Sequence, residues 1–380
     1  MTVTESPELA PLPTALPAMD VVGRLPRLRA LLAEHGCDAL VVSELTNVRY
    51  LTGFTGSAAL LLVSADDAVF VTDGRYRDRS AEELGAVGVE ADIRIVGAGP
   101  DAAIAEAVRA GGAQRLGLEA DHVTWTAQRR WSDELFADGE LVATSGLIEQ
   151  LRLVKDPGEV ARIRSACAIA DRALTHIRPQ LGDQPTEAEF AALLDATMRD
   201  MGAADVSFET IVASGPNGAK PHHTPSDRTI VDGDLVVIDF GALVDGYHSD
   251  MTRTIAVGDV GAERTRMLDV VLAAQDAGVK AIVAGVDAAE VDKACRDIID
   301  DAGWGDAFLH STGHGVGLDI HEEPRVGARS TATLDAGQVV TVEPGVYLTG
   351  LGGVRIEDTV LVTDDGCDRL TLAPKNPILA

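Results

Sequence analysis

The segment Val236 to Thr254, VVIDFGALVDGYHSDMTRT, most constrains what this chain can become, because it sets acids inside runs that otherwise read as buried strand. Asp239 interrupts Leu235-Val236-Val237-Ile238-Asp239-Phe240 against strand propensity, and a lone buried carboxylate is strongly unfavourable unless a cation or hydrogen bonds compensate it. Asp239 and Asp250 lie symmetrically about Val244-Asp245, while Asp245-Gly246 is a turn signal between the two runs. A turn centred on the first puts the two acids face to face across a hairpin. A turn strictly at Asp245-Gly246 makes them diagonal neighbours, still within reach of one ion. At about 4 Å and an effective dielectric of about 20, two such carboxylates repel by roughly 4 kcal/mol. They therefore require a metal or a shared proton, unless both are solvated on an exposed hairpin face.

At 380 residues the chain is too long for one ordinary core, and its 46% hydrophobic share suits two packed domains. The expected division is a disordered leader over 1–18, an N-terminal domain over 19–150 and a C-terminal domain over 151–380. A net charge of −28 has the wrong sign for binding nucleic acid or an anionic membrane, and no apolar run approaches the roughly 18 residues of a membrane span. The leader carries Glu5 and Glu8 among Pro7, Pro11, Pro13 and Pro17, unlike a signal peptide, which points to a cytoplasmic protein. Cys37, Cys167, Cys295 and Cys367 show no C-x-x-C spacing, so neither a zinc knuckle nor a disulfide framework is expected.

In the N-terminal part, strand-like runs at 38–43, 58–63, 68–72, 93–96 and 116–118 interleave with helical patterns at 24–36, 101–110 and 124–136, which implies a layered α/β domain. Beyond the junction at Arg152-Leu153-Val154-Lys155-Asp156-Pro157, Pro157 suits the first turn of a long amphipathic helix ending at Ile177. Thr186 and Glu189 form a capping box for a second helix. Another helix pair, 262–284 and 287–302, again leads into strand-like segments at 338–342 and 354–361. Two helix pairs, each followed by strands, suggest a duplicated half-domain, and the whole chain reads as α/β (α+β).

Glu343 in VVTVEPG and Glu357 in VRIEDT repeat the opening pattern, an acid inside each of two strand-like segments placed symmetrically about Gly350, and should converge likewise. Between the two pairs lies Ser311-Thr312-Gly313-His314-Gly315-Val316-Gly317, where flanking glycines bring the backbone close and leave the imidazole accessible. Four carboxylates around one divalent ion leave about two negative charges uncompensated, whereas two ions balance them, with neutral His314 completing the coordination. A mixed oxygen and imidazole donor set favours Mn²⁺, Co²⁺, Fe²⁺ or Zn²⁺ over Ca²⁺ and Mg²⁺. Two such ions sharing carboxylates can activate water and polarise a carbonyl, so metal-assisted hydrolysis is the expected chemistry. The motifs H-E-x-x-H, G-x-S-x-G and G-x-x-x-x-G-K-[ST] are absent.

Asp239, Asp250, His314, Glu343 and Glu357, in the contexts VVIDFGALVDGYHSDMTRT, HSTGHGVGLDIHEEPR, TVEPGVY and GGVRIEDT, together resemble the Xaa-Pro peptidases of the pita-bread metallopeptidase family (M24B), prolidase and aminopeptidase P. The likeness is specific over about 153–372. VVSELTNVRYLTGFTGS and VTDGRY are more loosely similar to that family's N-terminal α/β domain, which is ribonuclease H-like. The resemblance implies a pita-bread C-terminal domain, the five residues as ligands of two divalent ions (Mn²⁺ first, Co²⁺ or Zn²⁺ as alternatives) and Glu343 as general base. It also places His222 in the substrate site among the catalytic groups, ahead of its neighbour His223. His321 would stabilise the tetrahedral intermediate or shuttle protons, Arg325 bind the substrate's C-terminal carboxylate, and Arg355 orient a ligand carboxylate. His310 receives no role. The implied substrates are small proline-containing peptides and the implied assembly a homodimer. Arg325 and the compact PHHTPSDR stretch favour a dipeptidase over an aminopeptidase P. A catalytically silent interaction module on the same fold is the reading from another class, disfavoured because all five ligands are retained.

Overall fold

The computed structural model describes residues 9, 11–13 and 15–376. Two compact units divide the chain, one of Met19–Arg152 and one that joins Leu153–Ala380 to the segment Met1–Ala18. Among the described residues no helix is long and apolar enough to cross a membrane.

The N-terminal unit is built on one six-stranded sheet, in the order Asp92–Val96, Ala68–Asp73, Ala59–Ser64, Ala39–Val42, Arg115–Glu119, Glu140–Thr144. The three central strands form an antiparallel run, and parallel strands extend it on both sides. The five strand-like runs of the sequence are all present. The helix Pro100–Gly111 buries Ile104, Ala105, Ala107 and Val108 as one stripe against the sheet residues Val41, Leu62 and Leu118. Four further elements have no clear pattern in the sequence: the helices Leu45–Thr52, Arg77–Ala86 and Leu147–Arg152 and the edge strand Glu140–Thr144. In Arg77–Ala86 only Ser80 and Leu84 are buried, too few to leave an apolar period.

In the second unit each helix pair covers its own strands. The helices Pro157–Ile177 and Glu187–Asp200 start at capping boxes, Asp156 with Glu159 and Thr186 with Glu189. They pack through Ile169, Leu174, Phe190 and Leu194 onto Val236, Ile238, Phe240 and Met251. The helices Gly261–Ala281 and Ala288–Asp301 pack through Met267, Val271, Val291 and Ile299 onto Val340, Val342, Val354 and Val360. Because side chains alternate along a strand, burying one face of each strand against its helices turns Asp239, Thr252, Thr341, Glu343 and Glu357 onto the opposite faces, where the two halves meet. Of the expected disordered leader, residues 1–8, 10 and 14 lie outside the described residues. Its end departs from that expectation, since Leu16 packs against the first helix pair's core and the Pro17 carbonyl accepts a hydrogen bond of 2.9 Å from Arg162.

The opening hairpin turns at Asp245-Gly246, both with positive φ (47° and 78°), as a two-residue type I′ turn requires. Thr252 therefore stands opposite Asp239, which makes Asp250 its diagonal neighbour, and excludes the face-to-face alternative. Gly241 lies at the crossing: a Cβ there would meet the Ser249 carbonyl oxygen at 1.9 Å and Ser207 Cβ at 2.8 Å. Neither backbone can yield without moving Asp250. Gly241→Ala should lower the stability of this unit by about 1–3 kcal/mol, read as a shift of its chemical unfolding midpoint at unchanged m-value. An unshifted midpoint would show that the crossing is slack.

Candidate metal centre

Two registers bring the second pair of acids together. Val342 pairs with Asp358 and Gly345 with Arg355, and the shared register sets Glu343 opposite Glu357. The Glu357 amide donates to the Thr252 carbonyl (3.1 Å), while Thr359 Oγ1 donates to the Asp250 carbonyl (2.7 Å), so the strand bearing Glu357 is stitched to the opening hairpin. The Glu343 amide donates to Thr312 O (2.7 Å), and His314 N donates to Thr341 Oγ1 (3.1 Å), which ties in the histidine segment. His314 Nδ1 lies 3.0 Å from its neighbour's carbonyl, Gly315 O, and so carries the proton. Nε2 then faces Asp250 Oδ2 at 3.5 Å and Glu343 Oε1 at 3.4 Å.

These separations suit ligands arranged around a cation better than groups bonded to one another. Ligand atoms of Asp250, His314 and Glu357 lie within 4.8 Å of one another, and metal–ligand bonds of about 2.0–2.2 Å space neighbouring donors by a comparable distance. Asp239 Oδ1 and Glu357 Oε1 are buried and accept no hydrogen bond from the described residues. Such orphaned acceptors are unfavourable unless something positive satisfies them. The local electrostatics say the same. Burial first, and the neighbouring carboxylates with it, pushes Asp250 up to about 6, Glu343 up to about 7 and Glu357 well above the usual carboxylate range. Burial alone would lower His314, but Asp250 and Glu343 outweigh it and raise the imidazole to about 9. The ion-free cluster thus recruits protons that a divalent cation would displace. Oxygen donors with one imidazole fit a divalent transition metal.

All five residues line one cleft of about 390 Å³, together with His222, His321, Arg325 and Arg355. The structure therefore gathers every site residue singled out in the sequence. Arg355 Nη2 donates to Asp239 Oδ2 at 2.5 Å, and its Nε donates to Thr252 Oγ1 at 3.0 Å. His321 packs edge-on against His314, ring centroids 4.4 Å apart. Burial, helped by the positive neighbours His314 and Arg325, lowers His321 to about 4, so its imidazole is neutral at pH 7. Arg325 is exposed within the cleft and makes no ion pair among the described residues.

The sequence reading passes over Thr252, Tyr347 and His310. Thr252 Oγ1 donates to Glu357 Oε2 (2.7 Å). Arg355 Nη1 donates to Tyr347 Oη (2.7 Å), and that hydroxyl lies 2.8 Å from His310 Nε2. His310 Nδ1 faces the Ser311 carbonyl, which only accepts, so Nε2 receives the Tyr347 proton. Thr252 was legible as the residue opposite Asp239 once the turn is fixed. The His310 and Tyr347 contact, across 37 residues, left no local signal. If the orphaned oxygens are cation ligands, Glu357→Gln should weaken Mn²⁺ binding by tenfold or more, read by competition with a chelating dye. In excess chelator the same variant should unfold no earlier than the parent, because a mutually repelled carboxylate is gone. A variant that binds Mn²⁺ as the parent does would remove Glu357 from the centre.

The model of Metallopeptidase family M24 matches residues 161–364, and that of the Creatinase/Prolidase N-terminal domain matches 24–154. The chain is 37% identical over 350 residues to the Xaa-Pro dipeptidase of Pyrococcus furiosus, covering 92% of this chain and 97% of that protein. Among solved structures it is similar to the Xaa-Pro dipeptidase from Bacillus anthracis, with a TM-score of 0.90 and 40% identity over 94% of this chain and 99% of that one. It is also similar to the X-Pro aminopeptidase from Thermotoga maritima, with a TM-score of 0.84 and 36% identity over 93% and 99% of the two chains. With the peptidase model spanning more than half of its length over the converged acids, and a Creatinase/Prolidase N-terminal domain ahead of them, the chain belongs to metallopeptidase family M24.

Proposed function

We propose that the chain is an Xaa-Pro dipeptidase with two divalent ions, Mn²⁺ in first place and Co²⁺ or Zn²⁺ as alternatives, held by Asp239, Asp250, His314, Glu343 and Glu357. The observation that carries this reading is the pair of orphaned oxygens, Asp239 Oδ1 and Glu357 Oε1, in a cleft that also holds the Arg325 cation, which makes no ion pair among the described residues. Four carboxylates balance two divalent charges, and relatives on both sides of the dipeptidase and aminopeptidase division share the fold. When bound, the ions would lower the pKa of water and polarise the scissile carbonyl.

The residues of the chain divide the remaining work. Glu343, in the cleft with its Oε1 3.4 Å from His314 Nε2, accepts the proton of the attacking water as the general base. His321, neutral at pH 7, can donate an N–H to the oxygen that gains charge in the tetrahedral intermediate. Arg355 orients Asp239 by its 2.5 Å bond and is itself held by Tyr347. His222 faces the substrate, and Arg325 pairs with the free carboxylate that a dipeptide presents close to its scissile bond. The prolyl nitrogen of such a bond carries no hydrogen, so recognition has to come from the two ends and the ring. We also infer a homodimer, from the family resemblance.

The Mn²⁺-loaded protein should hydrolyse Gly-Pro-type dipeptides, lose that activity in excess chelator and recover it on adding Mn²⁺. Arg325→Ala should raise KM for the dipeptide by roughly tenfold or more, the scale of one charged hydrogen bond, with a smaller change in kcat. Turnover of an Xaa-Pro-Pro tripeptide without turnover of dipeptides would overturn the dipeptidase assignment in favour of an aminopeptidase P.

A further inference from the structure

The loop 214–228, which carries His222 into the cleft, is gathered onto one buried carboxylate that the chemistry above does not use. Glu187 is the first residue of the helix Glu187–Asp200 and is wholly buried. Its Oε1 accepts from Ser214 N and Ser214 Oγ, both at 2.7 Å. Its Oε2 accepts from Ser226 Oγ (2.6 Å), Ser226 N (3.1 Å) and His223 Nε2 (2.8 Å). Asn217 Nδ2 reaches both oxygens, at 3.1 and 3.2 Å. These donors come from both ends and the middle of the loop. Helix capping does not explain the convergence, because Thr186 already caps this helix through the Glu189 amide.

The protonation states follow from the geometry. Burial alone would push Glu187 up, but the donors from Ser226, Ser214 and His223 outweigh it and hold the carboxyl at about 2. An ionised carboxylate only accepts, so His223 Nε2 carries a proton and is committed to Glu187. His222 and His223 both line the cleft, but of the two only His223 is bonded to Glu187, so the carboxylate fixes the backbone that carries His222. The far side of the loop is fixed as well: a Cβ on Gly353 would meet Gly218 O at 1.9 Å, and Arg355 Nη1 donates to the Pro221 carbonyl at 3.4 Å. The loop is thus held between Glu187 on one side and the strand that carries Arg355 on the other.

We infer that Glu187 is a positioning residue for the substrate site, acting through His223 and Ser226 to fix where His222 stands in the cleft. The inference rests on the Xaa-Pro peptidase reading, in which His222 faces the substrate. Glu187 touches neither the ions' ligands nor the cleft, so its loss should act on substrate binding rather than on metal binding.

The test uses the full-length Mn²⁺-loaded protein. Glu187→Gln keeps the volume but turns an N–H₂ group toward N–H and O–H donors, so the loop loses acceptors. KM for Gly-Pro-type dipeptides should rise on the order of tenfold while kcat changes less than about threefold and Mn²⁺ content stays at the parent level. Amide hydrogen exchange in peptides spanning 214–226 should quicken, with the strands Leu235–Phe240 and Met251–Ala256 unchanged. Parent values of both KM and exchange would overturn the inference. Should Glu187→Gln fail to fold, His223 provides the second arm. Because His223 also lines the cleft, this arm is read by exchange: His223→Gln, which keeps a donor, should leave exchange in 214–226 at the parent rate, whereas His223→Leu should quicken it; equal exchange in the two variants would overturn the inference. If the parent protein hydrolyses no Xaa-Pro substrate, the functional reading falls, while the exchange comparison still decides whether Glu187 orders the loop.

Discussion

Mutual repulsion among four converging carboxylates, Asp250 and Glu357 buried and Asp239 and Glu343 half-buried, is the constraint to which the second unit is built. Asp239, Asp250, Glu343 and Glu357 converge where the two halves meet, and the orphaned Asp239 Oδ1 and Glu357 Oε1 have no donor among the described residues. An acid cluster of this kind opposes folding unless positive charge enters it. Arg355 supplies one such charge, on Asp239, but it cannot serve the oxygens that lie away from it. The rest of the unit reads as scaffolding that keeps the acids together and leaves room for the cations that complete them.

That scaffolding is economical in its physics. Each strand gives one face to a helix pair and the other to the centre, so the same alternation that builds the two apolar cores also aims the acids. Cross-strand hydrogen bonds then fix the spacing, notably Thr252 to Glu357 and Thr359 to the Asp250 carbonyl. A buried ion pair, Arg253 with Asp358 at 2.9 Å, and Lys375 on the same carboxylate at 2.5 Å, hold the Glu357 strand from behind. The dry and polar sides of one sheet layer are consequences of one periodicity.

Much of this was legible because a two-residue period leaves a strong mark when an acid breaks it. Asp239 stands out in LVVIDF, the spacing about Gly350 gives the Glu343 and Glu357 facing, and the Asp245-Gly246 turn decides between the two registers for Asp250. The Thr186 and Glu189 capping box was legible because the cap and its acid lie three residues apart, whereas the Asp156 and Glu159 box went unread beside the stronger signal of Pro157. What escaped the sequence is long in range or weak in pattern. The Tyr347 to His310 bond spans 37 residues, and Glu187 reads as one more acid in a helix's first turn until folding brings Ser214 and Ser226 to it. Arg77–Ala86 buries too little to betray itself as a helix. The leader's end, where Leu16 and Pro17 are fastened, gave no signal because proline-rich composition reports backbone preference and not tertiary contact.

The most direct test of the two-ion account is a calorimetric titration of Mn²⁺ into chelator-stripped protein, with Xaa-Pro hydrolysis followed at each addition. Charge balance across the four carboxylates predicts two equivalents bound per chain, no hydrolysis before the first, and full activity only once the second is in place. Binding of no ion, or full activity at a single equivalent, would contradict it.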